Sequence, residues 1–180
     1  MGGLDGLRVA IRPLTAEEAL ARNDEVAEIW PAASRARVEE ILPRHPAREG
    51  FRFLAAEDEG RMLGFSYGYF GGAEQSWHDL VAAEMTDEQK EHWVGPGHFE
   101  FVELHVRPDH RRQGIGGALH DALLSGLESR TAVLSTQADN EPALALYRGR
   151  GWQVVVPEMR FSPAGVPYSI LGLELAQMEG

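Results

Sequence analysis

The sequence predicts an α/β (α+β) fold: a mixed, mostly antiparallel sheet of about seven strands, with a central parallel pair and helices on both faces. Three observations carry this. Period-two and helical apolar patterns alternate along the chain, so a sheet is to be covered by helices. A strand, a glycine-rich turn, a helix and a second strand follow one another over residues 101–136. A crossover of that kind returns the chain parallel to itself. Short polar turns at Asp58-Glu59-Gly60 and Ser162-Pro163-Ala164-Gly165 join neighbouring apolar runs as hairpins, which makes the outer pairs antiparallel.

Taken in order, Leu7 to Arg12 is a short first strand with Val9 and Ile11 on one face, closed by Pro13. Thr15-Ala16-Glu17-Glu18 is a capping box, in which Thr15 and Glu18 satisfy each other's backbone amides and open a helix toward Trp30. Pro31 interrupts it, and a second helix carries Val38, Ile41 and Leu42 as far as Pro43. After the polar loop 44–50, Phe51, Phe53 and Ala55 alternate as a strand, and Met62 to Phe70 is its hairpin partner. This partner contains Gly64-Phe65-Ser66-Tyr67-Gly68, a match to the G-x-S-x-G nucleophile elbow. An elbow needs a helix straight after its serine. Here strand-like aromatics continue through Tyr69 and Phe70, so Ser66 belongs inside a strand, and a serine hydrolase using Ser66 is the reading this disfavours.

Residues 71–98 form a structured insertion. Trp77, Leu80, Val81 and Met85 share a helical face, and Thr86-Asp87-Glu88-Gln89 is a second capping box leading to Trp93 and Val94. The outer side is acidic through Glu74, Asp79, Glu84, Glu88 and Glu91, and reads as a solvated face rather than an amine-attracting lid. Phe101 to Val106 is a strand stopped at Pro108, and from Ile115 the spacing of Leu119, Ala122 and Leu123 is helical. Thr131 to Thr136 is a strand, Ala143 to Tyr147 lies on a helix, and Trp152–Phe161 and Val166–Leu175 complete the sheet.

Between the strand ending at Val106 and the helix from Ile115 lies Arg111-Arg112-Gln113-Gly114-Ile115-Gly116-Gly117. Glycines admit close backbone approach, and a helix start offers unpaired N–H groups and partial positive charge. With two arginines beside them, these residues make a pyrophosphate cradle. The P-loop pattern fails because no Lys-Ser/Thr follows, and the dinucleotide fingerprint fails because its third glycine falls on Leu119. Arg111-x-x-Gly114-x-Gly116 instead resembles the (Q/R)-x-x-G-x-(G/A) signature of the GNAT superfamily of acyl-CoA N-acyltransferases. Asn140-x-x-Ala143-x-x-x-Tyr147, followed by Gly151-Trp152, resembles that superfamily's second signature. The order of elements agrees with the GNAT fold over nearly the whole chain, with the 71–98 insertion as the main departure.

The resemblance implies an N-acetyltransferase that moves an acetyl group from acetyl-CoA to a primary amine by direct attack in a ternary complex. It implies that Arg111 to Gly117 hold the pyrophosphate, and that backbone groups of Leu104, His105 and Val106 hold the pantetheine and polarise the thioester. Asn140 would contact the pantetheine arm, and Tyr147 would stand at the thioester sulfur as the acid. Glu100, eleven residues before Arg111, has the offset of a basic residue in several members. Glu103 is the second candidate base. Strict alternation turns Glu103 and His105 to the face opposite Glu100 unless a bulge intervenes. A non-catalytic acyl-CoA-binding module on the same fold is the rival reading, against which Tyr147, Glu100 and Glu103 argue.

Composition sets outer bounds. The 180 residues suit one domain, 1–180, with a sizeable core. The absence of cysteine excludes disulfides, thiolate metal sites and a cysteine acyl-enzyme. Seven histidines without familiar ligand spacing lead to the expectation of no metal. A net charge of −11 argues against nucleic acid and tilts the acceptor toward cations. No apolar run approaches the roughly 18 residues of a membrane span, so no membrane partner is expected. The N-terminus lacks a signal-peptide core, so a cytoplasmic location is expected. Association as a homodimer is left open.

Overall fold

The computed structural model describes residues 8–31, 38, 40 and 42–175. The strands are β1 (Ala10–Leu14), β2 (Arg52–Asp58), β3 (Arg61–Phe70), β4 (Phe99–Val106), β5 (Thr131–Gln137), β6 (Gln153–Met159) and β7 (Tyr168–Glu174). The helices are α1 (Ala16–Ala21), α2 (Asn23–Ile29), α3 (Ser76–Ala83), α4 (Asp87–Trp93), α5 (Ile115–Leu124) and α6 (Glu141–Arg148). The strands form one mixed sheet in the order β1-β2-β3-β4-β5-β7-β6. β4 and β5 are the parallel pair, with Phe99 opposite Ala132 and Glu100 opposite Val133. The β1–β2, β2–β3, β5–β7 and β6–β7 pairs are antiparallel. No helix among the described residues is long and apolar enough to cross a membrane.

The chain packs as two compact units: Met1–Tyr69 with Val102–Gly126, and Phe70–Phe101 with Leu127–Gly180. In the first, the Thr15 capping box forms, with the Glu18 amide on Thr15 Oγ1 at 3.1 Å and the Thr15 amide on Glu18 Oε2 at 2.8 Å. The helix expected to continue to Trp30 breaks at Arg22, which leaves helical geometry at φ −105° and ψ 21°. Its guanidinium pairs with Glu25 and Glu57 instead, an interaction that local propensity does not encode. The first strand is shifted from its expected place. Pro13 lies inside β1, opposite Leu54, rather than closing it. β1 is an edge strand, the place in a sheet where a proline is tolerated. Leu7 and Ile41 fall outside the described residues; Val38 is helical, and Val38 and Leu42 are buried.

The core of this unit is aromatic. Phe53 stacks on Phe65 at 5.5 Å and on Tyr67 at 5.8 Å, and Trp30, Val26, Ile29 and Leu14 close around them. Burial of each such side chain contributes about 1.5–3 kcal/mol. Ser66 lies in mid-strand, fully buried, and donates its hydroxyl to the Leu119 carbonyl of α5 at 3.1 Å. The G-x-S-x-G match is therefore a packed strand, and Ser66 is no nucleophile.

In the second unit, the Thr86 capping box also forms and opens α4. Val81, Met85, Trp93 and Val94 pack with Val133, Val156, Met159 and Ile170. The expected α3 face is rotated. Leu80 is exposed, and His78 turns inward on the stripe shared with Val81 and Met85. Trp77 is half-buried, and its indole N–H donates to Ser135 Oγ at 3.2 Å.

Candidate active site

The strand-to-helix turn after β4 is built by backbone conformations that few residues adopt. Pro108–His110 makes a single 3₁₀ turn, and Arg111 is extended. Arg112 then sits in the left-handed region at φ 60°, and Gly114 at φ 81°. Glycine takes that geometry without penalty, whereas an arginine there stores on the order of 1–3 kcal/mol of strain. Gly114 caps α5 and, having no side chain, gives no acceptor to the first-turn amides of Ile115, Gly116 and Gly117. Beneath them Ile115, Leu119 and Leu123 are buried and anchor the helix, while Arg111, Arg112, Gln113 and Gly114 are exposed. Arg111 Nε donates to the Val106 carbonyl at 3.1 Å, tying the turn to the end of β4. The result is a set of first-turn amides without a side-chain cap, beside two exposed arginines, a chemistry that suits a phosphate.

The end of β4 carries Leu104, His105 and Val106. The His105 ring rests on Trp30 at 5.3 Å and on Phe65 at 5.6 Å between centroids, and its Nε2 is 2.7 Å from Glu103 Oε2. Val102 packs against the same aromatic cluster. Residues three apart on an unbroken strand face opposite ways, so the side-chain phase slips between Val102 and His105, as a bulge would make it. Arg107 fixes the strand end, its amide on the Leu63 carbonyl at 2.8 Å and its guanidinium on the Met62 carbonyl at 2.7 Å.

In the second unit, Asn140 caps α6: its Oδ1 accepts the Ala143 amide at 3.3 Å. This local job accounts for an asparagine there irrespective of any ligand. Tyr147 is buried, edge-on to Phe101 at 5.9 Å and to Trp152 at 5.7 Å. The Tyr147 carbonyl accepts the Arg150 and Trp152 amides at 2.9 and 3.2 Å. The spacing from Tyr147 to Gly151-Trp152 is thus the closure of a helix end onto its own aromatic ring.

Glu100 is only 3% exposed and has two histidine neighbours. His98 Nε2 lies 3.4 Å and His78 Nδ1 3.9 Å from its Oε1, and both histidines are buried. Burial, and then the nearby His98, hold the His78 imidazole below its ordinary range. The His98-x-Glu100 spacing could have signalled a pair, because residues two apart on an extended chain share a face. His78 lies twenty positions away on α3, and no local pattern points to it.

The Acetyltransferase (GNAT) family profile matches residues 16–152. Among curated proteins, a GCN5-like protein acetyltransferase of Mycobacterium tuberculosis is 31% identical over 121 residues, covering 63% of this chain and 59% of that protein. A mycothiol acetyltransferase of Saccharomonospora viridis is 29% identical over 127 residues, covering 66% of this chain and 40% of its own. The chain thus spans about six-tenths or less of the length of these relatives. Among solved structures, a phosphinothricin acetyltransferase of Sinorhizobium meliloti, in complex with AcCoA, superposes with a TM-score of 0.64 at 18% identity, over 96% of this chain and 94% of that one. The ribosomal-protein-S18-alanine N-acetyltransferase of Escherichia coli gives 0.61 at 18% identity, over 96% and 98%.

Proposed function

The chain belongs to the GNAT acetyltransferase family, and from that membership we propose that it transfers an acetyl group from acetyl-CoA to a primary amine by direct attack in a ternary complex. The observation that carries this is the turn Arg111–Gly117, with left-handed Arg112 and Gly114 opening the uncapped start of α5. The pyrophosphate of acetyl-CoA is the anion such a turn suits. Backbone groups at Leu104–Val106 would take the pantetheine, and an N–H there would polarise the thioester carbonyl. The family match runs through both packing units, which supports reading 1–180 as one acetyltransferase domain with 71–98 inserted.

The acceptor is the harder reactant. With a pKa of about 10.4, an alkyl ammonium is neutral at pH 7 in roughly 1 molecule in 2,500, a handicap of about 4.6 kcal/mol. A base must take its proton. Of the two candidates, the geometry favours Glu103, which is partly exposed and hydrogen-bonded to His105, over the buried Glu100 beside two histidines. Tyr147 is the candidate acid for the departing thiolate. The net charge of −11 favours a cationic acceptor.

The test is thiol release from acetyl-CoA by the purified chain against a panel of amines, from polyamines and amino acids to peptide N-termini. Release with at least one amine, with the acetylated product seen by mass spectrometry, is the expected result. Acetyl-CoA binding without thiol release from any amine would mean a binding module instead.

A further inference from the structure

We propose that His78, His98 and Glu100 form a binding site for a divalent transition-metal ion of the zinc type. The proposal does not rest on acetyl transfer. Its three ligand atoms lie within 4.8 Å of one another, come from α3, the residue before β4 and β4 itself, and are all in buried residues.

The hydrogen bonding of His98 favours a cation beside it. Its Nδ1 is 2.9 Å from the Gly95 carbonyl, which can only accept, so Nδ1 carries a hydrogen. In the neutral ring, Nε2 then presents a lone pair, and it faces Glu100 Oε1 at 3.4 Å. Two acceptors pointed at each other inside a protein repel unless a proton or a metal ion stands between them.

Distance separates those two cases. Charge-assisted N–H···O bonds run at about 2.7–2.9 Å. Glu103 and His105, also two residues apart, meet at 2.7 Å. The His98–Glu100 separation of 3.4 Å is long for such a bond. It does match the edge of a tetrahedral site, about 3.3 Å for ligands roughly 2.0–2.1 Å from the ion.

His78 supplies the independent observation. Its Nδ1 is buried without a hydrogen-bond partner and stands 3.9 Å from the same carboxylate oxygen. A shift of a few tenths of an ångström would complete the triangle. The His98 Nδ1–carbonyl bond is the outer-shell contact that ligating histidines normally make. At Gly71 the backbone presses on the group: a Cβ there would lie 2.1 Å from His98 Nε2 and 2.4 Å from Glu100 Oε1.

Two imidazoles and one carboxylate suit zinc, and also iron, nickel or copper, rather than the oxygen-loving magnesium or calcium. Three protein ligands leave a fourth position for water.

The experiment uses the full chain without a histidine tag, stripped with chelator and then refolded with Zn²⁺, because buried ligands exchange slowly. Metal analysis after desalting should find about one zinc per chain. Loading with Co²⁺ instead should give the visible bands of a four- or five-coordinate N/O site. His98→Ala, His78→Ala and Gly71→Ala should each weaken zinc binding, by at least the roughly 10–100-fold that loss of even an outer-shell partner causes. His92→Ala, at the surface beside Glu174, should leave binding unchanged. Substoichiometric zinc in the folded parent, or an octahedral cobalt spectrum, would overturn the proposal without reference to any variant. So would parent-like zinc binding by folded His98→Ala, or a His98 ring that stays doubly protonated by NMR with zinc present.

Discussion

Glu103 and His105 are hydrogen-bonded, carboxylate Oε2 to imidazole Nε2, at 2.7 Å, with side chains 24% and 20% exposed. Their spacing of two on β4 puts them on one face, and Trp30 and Phe65 hold the imidazole from behind. A carboxylate fixed in this way can receive a proton without first reorganising its partner.

If Glu103 is the base, Glu103→Gln should lower kcat by about 10² to 10⁴ while leaving the acetyl-CoA affinity near normal. The loss should lessen at high pH, where more of the amine is already neutral. Steady-state kinetics with a good acceptor, alongside Glu100→Gln, decides the assignment. A larger loss in a folded Glu100→Gln protein would transfer the role to Glu100.

Gly116→Glu places bulk and negative charge at the first turn of α5, the proposed pyrophosphate site. Acetyl-CoA at about 100 times its dissociation constant should stabilise the parent by roughly 2.7 kcal/mol. The variant should fold and show no ligand-induced shift in a melting assay. A parent-like shift would remove the phosphate role from this turn.

Tyr147→Phe keeps the edge-on packing against Phe101 and Trp152 and removes only the hydroxyl. If Tyr147 gives a proton to the leaving thiolate, the proton is needed mainly in the transition state, so the loss should fall on kcat. Turnover reduced about tenfold or more, with unchanged acetyl-CoA affinity, is the expected outcome. Turnover equal to the parent's would leave Tyr147 as packing alone.

The Arg22 guanidinium, and then the Met62 amide, hold the Glu25 carboxyl below the usual carboxylate range. A group whose folded pKa is depressed contributes stability above its unfolded value, about 4.3 for glutamate, and loses it as the pH falls through the folded one. Glu25→Gln should therefore be less stable than the parent at pH 7, with the difference shrinking as the pH falls below about 4. Urea melts across that range measure it, and a gap that stays constant with pH would refute the linkage.

The features legible in the sequence are those made within a few residues. Both capping boxes, at Thr15 and Thr86, formed where three-residue spacing places them. The glycine turn lies where the apolar period changes from two to that of a helix, and the β2–β3 hairpin follows from alternation around a polar turn. The two signatures were legible for the same reason, since a helix start and a helix end are local objects.

Tertiary contacts decided the rest. The helix breaks at Arg22, whose guanidinium also pairs with Glu57, thirty-five residues on. Pro13 is accommodated in β1 because that strand is at the sheet edge. Leu80 faces out and His78 in because packing, rather than hydropathy alone, sets the rotation of a short helix. Ser66 fits an active-site pattern in sequence, yet its hydroxyl is spent on the Leu119 carbonyl. The meeting of His78, His98 and Glu100 is decided the same way. An isolated histidine carries no mark of its future neighbours, and only the packing of α3 against the start of β4 brings three ligand atoms together in a buried place.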